Sequence, residues 1–86
     1  MFALTWSNTA LDALADIYVA AEPDERARMA AALEALNVRL RADPLSVGES
    51  RAGSNRIALV SLLAVVFQVS ESNLTVRVAR VTRYGR

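Results

Sequence analysis

The sequence predicts an α+β fold in which an N-terminal strand and a two-helix hairpin pack on an antiparallel sheet of about four strands. Three observations lead there. Apolar residues recur at helical spacing from residue 8 to residue 42, the spacing changes to two beyond residue 56, and glycine, serine and asparagine gather between those stretches. At 86 residues the chain suits one domain, residues 1–86. A domain of this size buries only about 60–65% of its unfolded surface. A hydrophobic share of 53%, with 22% charged residues and only two prolines and three glycines, belongs to a folded chain rather than a disordered one.

Phe2 to Trp6 is a short β-prone run, closed by Ser7-Asn8-Thr9, each a good helix N-cap. Thr9 and Asp12 have capping-box spacing, and Leu11, Leu14, Ala15, Tyr18 and Ala21 share one helical face, which predicts a helix over residues 8–21. Pro23 with Asp24 and Glu25 starts a second helix, because proline is preorganised for a first turn and carboxylates there favour the helix dipole. Its apolar seam runs through Met29, Leu33, Leu36 and Leu40 until Asp43-Pro44 stops it. Glu49-Ser50-Arg51 reads as a short extended piece between turns set by Gly48 and by Gly53-Ser54-Asn55. The run from Arg56 to Gln68 fits either a buried helix or two strands. Its Val, Ile and Phe content and the alternation at Val65, Phe67 and Val69 predict strands, with a turn near Ser61-Leu62-Leu63. Glu71-Ser72-Asn73 marks a hairpin turn, and Leu74, Val76 and Val78 alternate along the last strand. The alternation slips at Arg80 and Val81, which predicts a bulge near Ala79.

Composition also removes whole classes of chemistry. With no cysteine and no histidine there is no thiolate nucleophile, no imidazole base and no zinc site of the usual kind, so no cofactor is expected. The N-terminus lacks a basic segment, and the longest apolar stretch, Ile57 to Phe67, is half a membrane span, which predicts a soluble cytoplasmic protein with no membrane partner. Residues 1–45 carry four Arg against seven acidic residues, and residues 46–86 carry six Arg against two Glu. The C-terminal half is thus the electropositive end, a local patch that suits a nucleic acid or an acidic protein.

The order of elements, together with Leu4-Thr5-Trp6-Ser7, Ala10 and Leu14, the span Leu36-Asn37-Val38-Arg39-Leu40 through Asp43-Pro44, Gly48-Glu49-Ser50-Arg51, Val66-Phe67-Gln68-Val69 and Val76-Arg77-Val78, resembles the RelE/ParE toxins of bacterial type II toxin–antitoxin systems. The resemblance covers nearly the whole chain and rests on the order of these motifs, none of which is specific alone. It implies a toxin that inhibits growth by cleaving mRNA on the ribosome or by poisoning DNA gyrase, neutralised by a cognate antitoxin. The alternative is a catalytically inactive relative that acts only as a protein-binding module, and an unrelated α+β interaction domain is the third reading. RelE-like members carry an arginine on the central strand where this chain has Ala64. The family's lysines before the central strands have Arg51 and Arg56 as equivalents here, and Arg83 and Tyr84 match its catalytic tail, with Arg80 and Arg86 nearby.

RNA cleavage through a 2′-hydroxyl needs an acid or base within about 2.6–3.2 Å of the moving proton and cations for the charge growing on the phosphate. Arginine supplies only the second, since its pKa lies above about 12. On this reading Arg51, Arg56 and Arg83 hold charge, and Tyr84 is the proton-transfer group or a stacking contact; Glu49 and Glu71 are the other acid/base residues of the basic half. A solvated or partner-contacting strand face accounts equally for Arg77, Arg80 and Arg83, and an ion pair with Glu49 for Arg51. Val66 and Val81, out of register with the inward face, predict an apolar groove for an amphipathic helix or an added strand.

Overall fold

A computed structural model describes residues 1–84. Strand β1 (Ala3–Trp6) leads into helices α1 (Asn8–Ala20) and α2 (Pro23–Ala42), a 3₁₀ turn at Pro44–Ser46, and strands β2 (Glu49–Ser50), β3 (Asn55–Val60), β4 (Leu63–Ser70) and β5 (Thr75–Arg83). The sheet has five strands in the order β1-β5-β4-β3-β2. β1 lies parallel to β5, with Leu4 beside Val76 and Trp6 beside Val78, and every other pairing is antiparallel.

The N-cap of α1 is Ser7, not Thr9. Its hydroxyl accepts the Ala10 N–H at 3.0 Å and donates to the Ala79 carbonyl at 2.9 Å. Ala79 is the bulged residue, since Val66 pairs with Arg80 while Phe67 pairs with Val78. One buried serine therefore caps a helix and satisfies a carbonyl that the bulge takes out of the ladder. The bulge also returns Val81 to the inward face opposite Val65, so Val81 is a core residue and only Val66 remains on the outer side. The capping box falls at α2, where the Glu22 N–H donates to Glu25. Arg26 reaches back to the carbonyls of Tyr18 and Ala21, satisfying acceptors at the end of α1.

The seam of α2 is buried as its spacing predicts, at Met29, Leu33, Leu36 and Leu40, against Leu63, Val65, Phe67, Val76 and Val78. The buried side of α1 is rotated: Ala10 is fully buried and Leu14, Ile17 and Tyr18 half-buried, while Leu11 and Ala15 are exposed. The helices rest on different strands, α1 along β5 and α2 on β1, β3 and the 3₁₀ turn. A furrow is left between them. Gly48, at φ +68°, is needed where the chain enters β2, because a Cβ there would overlap the Ile57 carbonyl. The β3–β4 hairpin turns on Ser61-Leu62, with Ser61 at φ +52°, and Leu74 ends the β4–β5 turn at φ +54° instead of starting the strand. Among the described residues, no helix is long and apolar enough to cross a membrane.

Candidate functional site

The four basic or phenolic residues singled out from the sequence are placed in two groups. Arg56 stands opposite Phe67 and Arg83 opposite Leu63, four positions apart on β4 and so about 13 Å along the strand at about 3.3 Å per residue. Both partners are core residues, which puts Arg56 and Arg83 on the helix side of the sheet. Each is occupied. Arg56 donates to the carbonyls of Leu45, Val47 and Gly48 and to the Ser50 hydroxyl at 3.0–3.3 Å, pinning the segment that leads into β2. Arg83 Nη2 meets Glu25 Oε2 at 3.1 Å, with both side chains about three-quarters buried. Arg51 pairs with Glu49 at 3.2 Å at the exposed sheet edge. The Tyr84 hydroxyl donates to the Ser61 carbonyl at 3.2 Å and its N–H to Leu62, tying the chain to the β3–β4 turn. Arg86 lies outside the described residues.

The electrostatics follow these contacts. The Arg83 hydrogen bond, helped by the Glu22 N–H, holds the Glu25 carboxyl below its ordinary value. Burial pushes the Tyr18 phenol up.

Two surfaces remain open. One is the furrow between the helices, about 730 Å³, lined by Trp6, Leu11, Leu14 and Tyr18 on one side and Ala30, Leu33, Glu34 and Asn37 on the other. Its lining is mainly apolar. Asn37 Oδ1 is buried beside it with no hydrogen-bond partner among the described residues, a costly arrangement for an acceptor. The other surface is the sheet face turned away from the helices. Register places its residues in rows across the strands: Thr5, Arg77, Gln68 and Asn55; then Arg80, Val66, Ile57 and Glu49; then Thr82, Ala64 and Leu59. The centre is apolar, and Gln68 bonds Asn55 at 3.0 Å. Arg77 and Arg80 are exposed and form no ion pair among the described residues.

The furrow is not predicted by the sequence, which puts Leu11 on the same helical face as Leu14 and Tyr18 and gives Asn37 no site role. Asn37 was the one available hint, an uncharged polar residue four positions after Leu33 on the edge of the α2 seam.

No protein-family model matches the chain, and no curated protein matches it in sequence. Solved structures do match in shape. The chromosomal ParDE TA system from P. aeruginosa aligns with 99% of this chain and 98% of its own at a TM-score of 0.76 and 18% identity. The toxin-antitoxin complex RelBE2 from Mycobacterium tuberculosis aligns with 95% and 96% at 0.73 and 21% identity. The isolated E. coli RelE toxin aligns with 100% of this chain and 87% of its own at 0.68 and 17% identity. Over its whole length, therefore, this chain has the RelE/ParE toxin fold.

Proposed function

We propose that the chain is the toxin of a type II toxin–antitoxin system, neutralised by an antitoxin segment lying in the furrow between α1 and α2. The observation that carries this reading is the end-to-end match with chains from toxin–antitoxin complexes. The furrow supports the partner: it is about 730 Å³, mainly apolar, and bordered by Glu34 and Asn37, as a site for one face of an amphipathic segment would be.

For the mechanism we propose binding to a protein target, as a gyrase poison binds, rather than RNA cleavage. Arg56 and Tyr84 make structural hydrogen bonds, Arg83 is neutralised by Glu25, and the family's strand arginine is replaced by Ala64. Arg77 and Arg80 hold charge but move no proton. The test is to induce the chain alone and with the reading frame beside its gene. Growth arrest relieved by that frame, co-elution of the two products, inhibited supercoiling by purified gyrase, and intact mRNA in a translation extract are the expected results. Ribosome-dependent cleavage would replace the mechanism, and a chain harmless at blot-confirmed levels would leave the inactive binding module.

A further inference from the structure

The sheet face turned away from the helices has a composition that the fold does not require. Its centre is Ile57, Leu59, Ala64 and Val66, and Leu59 is 61% exposed. Solvated sheet faces ordinarily alternate to polar side chains, so this cluster calls for an occupant. Arg77 and Arg80 on β5 put cations without carboxylate partners, among the described residues, on one flank. On the opposite flank Glu49 is already paired with Arg51.

We infer that this face grips the toxin's target, and that the occupant is a protein segment presenting apolar side chains with carboxylates along one side. The inference rests on the toxin reading above and names the surface and the chemistry it recognises. Leu59 and Val66 supply the apolar contact, and Arg77 and Arg80 fix orientation by meeting the carboxylates. The same face is poorly suited to nucleic acid. A single strand is held by aromatic rings that stack bases along a groove of several cations, and none of the strand residues on this face is aromatic. Ala64 puts an uncharged, buried methyl group at the middle of the face.

The direct test is a titration of the isotope-labelled chain with a synthetic peptide of alternating leucine and glutamate, and in parallel with poly(U), followed by NMR. Peptide shifts should centre on Ile57, Leu59, Val66, Arg77 and Arg80. Affinity should fall at least about tenfold in Leu59→Asp and in the double variant Arg77→Glu/Arg80→Glu, and should weaken with salt. Arg41→Glu, an exposed charge reversal on α2, should change it little. Melting curves confirm that these surface variants fold. Both face variants should also lose growth arrest while still co-purifying with the antitoxin. The inference is overturned if the shifts centre on the furrow, if poly(U) binds the face more tightly than the peptide, if the variants lose the antitoxin, if they dissolve a self-dimer, or if they arrest growth like the wild type. If the wild type does not arrest growth at all, the toxin reading fails and the titration alone decides the face.

Discussion

Glu25 accepts the Glu22 N–H with one carboxylate oxygen and Arg83 Nη2 with the other, so one side chain starts α2 and anchors the end of β5. Because its folded pKa lies below the ordinary value of 4.5, this contribution is present above that value and is lost as pH falls through the lowered one. Urea unfolding from about pH 5 to about pH 3 should therefore cost the wild type more stability than Glu25→Gln, the usual carboxylate range lying between those limits. Equal losses would remove Glu25 as the source. Ser7 has a comparable double role, and Ser7→Ala leaves both the Ala10 N–H and the Ala79 carbonyl without a partner. Denaturant unfolding should show a loss of about 1–2 kcal/mol. A change within about 0.5 kcal/mol would mean that water replaces the hydroxyl at both atoms. At Tyr84 the hydroxyl serves the Ser61 turn, so Tyr84→Phe should keep growth arrest intact. Loss of arrest in a folded Tyr84→Phe protein would restore proton transfer as its role.

Helix α2 shows what a periodic pattern does when packing agrees with it. Leu36 is 1% exposed at the middle of the seam, so Leu36→Ala should cost about 2–5 kcal/mol in thermal or urea unfolding, a large share for so small a domain. A loss below about 0.5 kcal/mol would place Leu36 outside the core. Helix α1 behaves differently because its apolar positions spread wider than one face, leaving Asn8, Asp12 and Asp16 as the polar stripe. Two overlapping faces satisfy the same spacing, and contact with β5 selects the one through Ala10, Leu14 and Ile17. Leu11 is thereby turned to the rim of the furrow, 48% exposed. In β5 the slip in alternation is resolved by the bulge at Ala79, which keeps Val76, Val78 and Val81 all inward and leaves Arg77 and Arg80 outside.

For the molecule as a whole, one core sits between the two helices and one side of the sheet, while the furrow and the opposite sheet face stay open. These surfaces lie on opposite sides of the sheet. Antitoxin binding and target binding should then be separable by mutation, with furrow variants losing the first and sheet-face variants the second. Filling the furrow stabilises the fold by mass action, about 2.7 kcal/mol at a hundredfold excess over Kd. For a domain of this size that raises Tm by about 10 °C or more, measurable by calorimetry of the chain with and without its antitoxin. An unchanged Tm at saturating antitoxin would mean that the partner does not bind the folded chain.

The sequence by itself determined the element order, the α2 seam, the turns at Gly48, Ser61 and Glu71, and the bulge at Ala79, because each is written in the spacing and type of residues close in the chain. It also placed six of the ten arginines, against only two glutamates, in residues 46–86. Tertiary structure decided what depends on distant partners: the parallel seat of β1 beside β5, the fifth strand at Glu49–Ser50, and the rotation of α1. It decided the contacts of the arginines as well. Arg56 and Arg77 look alike in sequence, both in β-prone runs. Register sends one to the helix side, where backbone carbonyls bind it, and the other to the outer face, where it is exposed and forms no ion pair among the described residues.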